Sequence, residues 1–232
     1  MKNYLIILSG GIGTRMNSSI PKQYIEIKEK PILYYTLNCF DFSLFEKIVI
    51  VLADTWKNYV QNLIIDYFDK SKFFYAKAGD SRQESVLNAL KKIIGLSKSD
   101  DNVIIHDGAR PNLSKELILD MLKESLKYDG IMPVLPVKDT IYVSKTGMEI
   151  NGLLNRDELF SGQSPELFNI EKYYNINKNL SKLELSNIRG SSEIAFKNGM
   201  KIGFIKGDEN NFKITTQSDL ELFKRILEDK NR

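Results

Sequence analysis

Cysteine is almost absent from this 232-residue chain. Cys39 stands alone, in an apolar pattern of helical period, which leaves no disulfide framework and no thiolate metal site and makes it a core residue. Long hydrophobic runs are missing too: Tyr4 to Leu8 and Lys47 to Ala53 stop far short of the roughly 20 residues a membrane-spanning helix needs. The N-terminus enters a strand pattern at once, with no basic segment leading into an apolar stretch and cleavage site, so a cytoplasmic protein with no membrane partner is expected. Neither sign of charge dominates. The 33 basic and 30 acidic side chains leave a net charge of +3, and they are interspersed rather than gathered into a stripe, which argues against a nucleic-acid partner. No repeats, low-complexity linker or second domain can be discerned. What is present, 42% hydrophobic and 27% charged residues, suits one substantial core, and the expectation is a single α/β domain spanning 1–232.

Short β-rich apolar runs alternate with longer helical patterns, the signature of a mostly parallel sheet with helices on both faces. Strands are expected at Tyr4 to Leu8, Lys47 to Ala53, Phe73 to Ala76, Asn102 to His106, Gly130 to Val134 and Lys201 to Ile205. Helices are expected from Pro31 to Phe40, from Thr55 to Phe68, around Val86 to Ile94 ending near Gly95, from a Ser114 cap to about Lys127, after Pro165, and from Gln217 to about Leu227. The period changes to two at Thr140 to Val143 and Met148 to Gly152, around the turn-forming Lys145-Thr146-Gly147. That is a β-hairpin, an arm at about 136–160. A hairpin is marginal alone, so it either packs on another subunit or folds back on its own sheet edge.

Chemistry concentrates where strands end. The loop Leu8-Ser9-Gly10-Gly11-Ile12-Gly13-Thr14-Arg15-Met16 follows the first strand; its glycines let backbone N–H groups close around phosphate oxygens, and Arg15 adds charge. Met16 stands where the dinucleotide fingerprint needs a glycine, and no Gly-Lys-Ser/Thr follows, so hydride chemistry and P-loop ATPase chemistry both lose weight. Pro21-Lys22-Gln23 then places a lysine within reach of the same phosphates. Two further segments, Gly79-Asp80-Ser81-Arg82-Gln83-Glu84-Ser85-Val86 and His106-Asp107-Gly108-Ala109-Arg110-Pro111, lie at the strand ends where open α/β sheets bind ligands. His106, the only histidine, reads as a buried strand-end residue rather than a catalyst.

Together with Lys213-Ile214-Thr215, these segments resemble the family containing methylerythritol-phosphate and ribitol-5-phosphate cytidylyltransferases, over nearly the whole chain. The resemblance implies a Rossmann-like fold and a CTP-dependent nucleotidyltransferase. It assigns nucleotide contacts to Leu8, Ser9, Gly10, Gly11, Gly13, Gly108 and Arg110, and the cytosine end to Gly79, Asp80 and Ser85. Asp107 is implied to carry a magnesium ion, Arg15 to hold the triphosphate, and Lys22 and Lys213 to stabilise charge at the α-phosphorus. Such a site needs cations and fixed N–H donors more than a proton-transfer base, because the attacking phosphate oxygen is already ionised at neutral pH.

For the acceptor, the resemblance points to Thr140 and Arg156 on the arm of a second subunit, hence a homodimer, and to Ser164 before Pro165. Many members carry Thr-Asp where Arg189-Gly190 falls here. Either Arg189 takes that position, or the loop shifts and Ser191, Ser192 or Glu193 fills it. With Gln163 and Phe168-Asn169 closer to the ribitol-phosphate branch, the expected acceptor is glycerol phosphate or ribitol 5-phosphate, giving a CDP-polyol for capsule or teichoic-type polymers. Methylerythritol phosphate is the alternative. A non-catalytic nucleotide-binding protein is the alternative of another class.

Overall fold

The computed structural model describes residues 1–11 and 19–229. The strands are β1 (Asn3–Leu8), β2 (Glu26–Ile27), β3 (Lys30–Pro31), β4 (Lys47–Leu52), β5 (Phe73–Lys77), β6 (Asn102–Asp107), β7 (Gly130–Pro136), β8 (Tyr142–Val143), β9 (Gly152–Leu153), β10 (Phe160–Gly162), β11 (Glu166–Asn169) and β12 (Ile202–Lys206). The α-helices are α1 (Ile32–Asn38), α2 (Lys57–Tyr67), α3 (Arg82–Ile93), α4 (Lys115–Glu124), α5 (Ile170–Asn177), α6 (Lys182–Asn187), α7 (Ser191–Lys197) and α8 (Gln217–Asp229).

Eight strands form the main sheet, in the order β10-β7-β11-β6-β1-β4-β5 with β12 also on β7. The β6-β1-β4-β5 half is parallel. Alternation along these strands explains the layers. Leu5 and Ile7 of β1, with Ile48, Ile50 and Leu52 of β4, face a core shared with α1, α2 and α4. Tyr4 and Ile6, with Val49 and Val51, face the opposite core with α3, α5 and α7. Buried on both faces, such strands must be apolar throughout. Because β1 lies between β4 and β6 with its crossovers on opposite faces, the sheet opens a crevice at the carboxyl ends of these strands.

Two strands differ from the sequence expectation. The segment after Pro165 does not return directly to helix: β11 comes first, antiparallel to both β6 and β7, and β10 before it pairs antiparallel with β7. Four residues of β11 leading straight into α5, which Asn169 caps, give no run long enough to show a period of two. Lys213 sits in an irregular segment before α8.

The arm leaves the sheet after β7 and returns at β10. Its two strands pair only with each other, and Gly147 takes the turn with φ of 78°, a left-handed conformation that favours glycine. Tyr142 is 58% and Leu153 64% exposed, so within one chain the arm is not folded onto its own sheet. Cys39 is partly buried against the first core, its thiol directed at the carbonyls of Tyr35 and Pro111. Among the described residues, no helix is long and apolar enough to cross a membrane.

Candidate active site

The crevice holds a cleft of about 470 Å³ whose walls include Gly10, Gly11, Lys22, Gly79, Asp80, Ser85, Asp107, Gly108 and Lys213. Segments nearly 200 positions apart meet there through buried backbone groups. Past β1, the Ser9 carbonyl accepts hydrogen bonds from Gln23 Nε2 (2.8 Å) and the Tyr24 hydroxyl (2.9 Å), and Gln23 Nε2 also donates to the Gly11 carbonyl (2.8 Å). The Lys22-Gln23-Tyr24 turn thus doubles back to hold the start of the glycine loop. A Cβ at Gly10 would stand 2.4 Å from Ala78 Cβ, so only glycine lets this loop pass the end of β5. Gly13 and Arg15 lie outside the described residues.

Ile214 closes the other side. Its side chain is fully buried with Ile32, Leu220 and Phe223, its N–H donates to the Ala109 carbonyl (2.9 Å), and its carbonyl accepts from Lys22 Nζ (2.7 Å). Anchored at Ile214, the preceding residue turns Lys213 Nζ to Asp107 Oδ2 at 2.9 Å. The next one, Thr215, is fixed by Asp219 at the start of α8, which accepts from both its N–H and its hydroxyl at 2.8 Å.

Asp107, at the end of β6, is the electrostatic centre. Besides Lys213, Arg82 Nε lies 3.7 Å from Oδ1 and Arg110 Nε 3.6 Å from Oδ2. Burial alone would push this carboxyl up; Arg82, Lys213 and Arg110 hold it far below the usual carboxylate range. Burial likewise pulls the Arg82 guanidinium down, but Asp107 and Glu166 more than offset that. For Arg110 burial prevails and the shift is downward. Its NH1 donates to the Asn211 carbonyl at 2.6 Å.

Behind the carboxylate, the Asp107 N–H donates to Ser164 Oγ (2.9 Å), and that hydroxyl meets His106 Nδ1 at 3.0 Å. The Arg110 carbonyl, 3.1 Å from His106 Nε2, can only accept, so Nε2 carries the proton and Nδ1 accepts from Ser164. Full burial lowers the His106 pKa to about 4. His106 is therefore a neutral structural residue.

Ser164 is only 4% exposed with its hydroxyl engaged on both sides, so the structure puts it under the cleft floor rather than at an acceptor. Arg189 is exposed and its N–H donates to Glu193 Oε2 (2.9 Å). Since α7 begins at Ser191, it is Ser191 and Ser192 that turn inward, to Arg82 and Glu166; Arg189 does not line the cleft. Thr140 and Arg156 are exposed on the arm, Arg156 donating to the Lys138 carbonyl (3.2 Å), and neither lines the cleft of its own chain. At the far wall, Ser85 Oγ accepts from the Gly79 N–H (2.9 Å) and donates to the Ser81 carbonyl (2.9 Å), fixing the Gly79-Asp80 turn at the start of α3.

Sequence reasoning missed Arg82 and Glu166 as site residues. Arg82 lies inside a segment already singled out, one place past the Ser81 cap. Glu166 carries no local signal, because its partners are distant in sequence. Among the described residues, no group of three or more His, Cys, Asp or Glu side chains is arranged to hold a metal. A lone carboxylate fits a hard cation only where phosphate oxygens complete its shell.

A crevice at the switch point of an open sheet, lined by a glycine loop and by cations converging on one carboxylate, defines a nucleotidyltransferase-type site. Residues 4–229 match the model of the IspD family, 2-C-methyl-D-erythritol 4-phosphate cytidylyltransferase, and the chain belongs to that family. It is a CTP-dependent cytidylyltransferase. The enzyme of that name from Clostridium novyi is 36% identical over 229 residues, covering 98% of this chain and 97% of that protein. Its counterpart from Clostridium beijerinckii is 36% identical over 218 residues, 94% of each. The solved structure of the Francisella tularensis enzyme superposes with a TM-score of 0.81 at 28% identity, over 97% of this chain and 99% of that one.

These similarities overturn the expected acceptor. Family and relatives alike carry the methylerythritol-phosphate name, so glycerol phosphate or ribitol 5-phosphate as acceptor, and a CDP-polyol for capsule or teichoic-type polymers as product, are withdrawn. The expectation leaned on Arg189-Gly190, a loop that does not line the cleft, and on Phe168-Asn169, which belong to a sheet strand and a helix cap.

Proposed function

We propose that this chain transfers CMP from CTP to 2-C-methyl-D-erythritol 4-phosphate in the cytoplasm, releasing pyrophosphate. An oxygen of the acceptor phosphate forms a bond to the α-phosphorus of CTP, and the bond from that phosphorus to the bridging oxygen of the leaving pyrophosphate breaks, taking its electron pair. The attacking oxygen is already ionised, so no general base is needed, and the catalytic load falls on charge stabilisation. The observation that supports this most directly is that Lys213, paired with Asp107, and Lys22, which donates to the Ile214 carbonyl, line the same cleft.

In this reading Lys22 and Lys213 stabilise charge at the α-phosphorus, with Arg15 on the triphosphate. The Gly10-Gly11 turn offers N–H donors to phosphate, and the Gly79-Asp80 turn, its N–H groups engaged by Ser85 and Glu84, forms the cleft wall for the base. Asp107 would hold a magnesium ion together with phosphate oxygens, and the ion would neutralise charge developing on the triphosphate. Thr140 and Arg156, remote from the cleft of their own chain, reach an acceptor from the arm of a second subunit in a homodimer. Ser164 acts indirectly, through the Asp107 backbone. The test is pyrophosphate release from CTP with 2-C-methyl-D-erythritol 4-phosphate, glycerol 3-phosphate and ribitol 5-phosphate in parallel. The first acceptor is expected to exceed the others at least tenfold in kcat/KM; equal or reversed preference would refute the assignment.

A further inference from the structure

Glu166 is almost fully buried, 6% exposed, and opens β11 opposite Ile105 of β6. Both of its carboxylate oxygens are engaged. Oε1 accepts from the N–H and the hydroxyl of Ser192, each at 2.8 Å; Oε2 lies 3.2 Å from Arg82 NH2. The same guanidinium reaches Asp107 through Nε at 3.7 Å and donates NH1 to Ser191 Oγ at 2.5 Å. Its donors form a rigid planar fork, so three partners fix where it sits as well as what charge it meets. By distance Glu166 holds the larger share. A sheet position this deep would ordinarily take an apolar side chain, because burying an ionised carboxylate is costly unless it is matched. Here the match is Arg82, a residue of the cleft wall.

We propose that Glu166 is a positioning residue for cytidylyl transfer that acts through Arg82, a role that rests on the reading of this cleft as the CTP site. It holds the guanidinium back from Asp107, so that Arg82 offers its charge to the incoming triphosphate instead of closing onto the nearest carboxylate. Without the Glu166 charge, Arg82 moves to Asp107 as its one remaining close anion. CTP must then break a tighter internal pair before it binds.

The experiment is steady-state pyrophosphate release by the full chain, with CTP varied at saturating 2-C-methyl-D-erythritol 4-phosphate. It compares wild type, Glu166→Gln, Arg82→Gln and the double variant. Glutamine keeps the size of Glu166 and an acceptor for Ser192 but not the charge. Glu166→Gln is expected to raise the KM for CTP about tenfold while kcat changes less than about threefold. In the Arg82→Gln background it should do nothing further, the double variant matching Arg82→Gln within about twofold in kcat/KM. An unchanged KM for CTP in folded Glu166→Gln overturns the proposal. So does the same loss in both backgrounds, the result expected if Glu166 merely anchors α7 through Ser192. If Glu166→Gln does not fold, the comparison of Arg82→Gln with the double variant decides alone: equality supports the proposal and a further loss overturns it. Wild-type turnover is the control. Its absence removes the functional reading and this proposal with it, whereas turnover with insensitive variants removes this proposal only.

Discussion

Lys213 and Ser164 both touch Asp107, one at the carboxylate and one at the backbone N–H, and they should fail differently when truncated. The Lys213 side chain is about one-third exposed, and Asp107 keeps Arg82 and Arg110 nearby without it. Lys213→Ala is therefore expected to fold with a melting temperature within a few degrees of wild type. Its kcat should fall by about 10² to 10³, the usual loss when a preorganised charge-stabilising donor is removed. Ser164→Ala leaves the Asp107 N–H and His106 Nδ1 without their partner inside the protein, at a cost of roughly 1–3 kcal/mol in urea unfolding. Its kcat should fall less than that of Lys213→Ala. The reversed pattern would exchange the two roles. Asp107 and Lys22 were legible because each stands in a short string, Asp107 at a strand end before Gly108 and Lys22 after Pro21, whereas Lys213 was legible only through the family resemblance of Lys213-Ile214-Thr215. Glu166 was not legible: it meets Arg82 across 84 positions, and nothing local distinguishes it from a surface glutamate.

Among the elements, the arm is the one whose sequence and surroundings disagree within a single chain. It alternates like a half-buried hairpin, yet Tyr142, Met148, Ile150 and Leu153 are all exposed. Two short strands bury too little to be stable alone, and a contiguous exposed apolar surface marks an interaction site. The proposed second copy of the chain, covering the arm, would account for both facts and would carry Thr140 and Arg156 toward a neighbouring cleft. Leu153→Asp is expected to convert a dimer to a monomer by light scattering, with far-ultraviolet circular dichroism retained and kcat/KM for the acceptor reduced at least tenfold. A dimer of full activity in that variant would exclude the arm from the interface. The central parallel strands β1, β4 and β6 were legible because each carries an apolar run buried on both faces. The neighbouring β10 and β11 were not: at three and four residues they are too short for alternation to register, and their place is set by pairing with β7 and β6.

At the scale of the whole molecule, the buried ion cluster and the neutral histidine behind it tie stability to pH. The folded pKa of His106, about 4, lies below its ordinary value of 6.5, so between those limits the unfolded chain binds a proton that the folded chain refuses. Stability contributed by the neutral imidazole is thus fully present above about pH 6.5, declines as pH falls, and is gone below about pH 4. A shift of this size corresponds to roughly 3 kcal/mol over the window. Asp107 acts in the same direction but lower: with its folded pKa depressed, its contribution is present above the ordinary carboxylate range and lost as pH falls below it. Urea unfolding of the metal-free protein in EDTA, between pH 7 and pH 5, should therefore report mainly His106. In His106→Gln, whose amide can donate to the Arg110 carbonyl but cannot take up a proton, stability at pH 7 should be lower and its slope in this window close to flat. A slope equal to that of wild type would place the titrating group elsewhere and leave the tautomer that joins Ser164, His106 and Arg110 without its expected thermodynamic consequence.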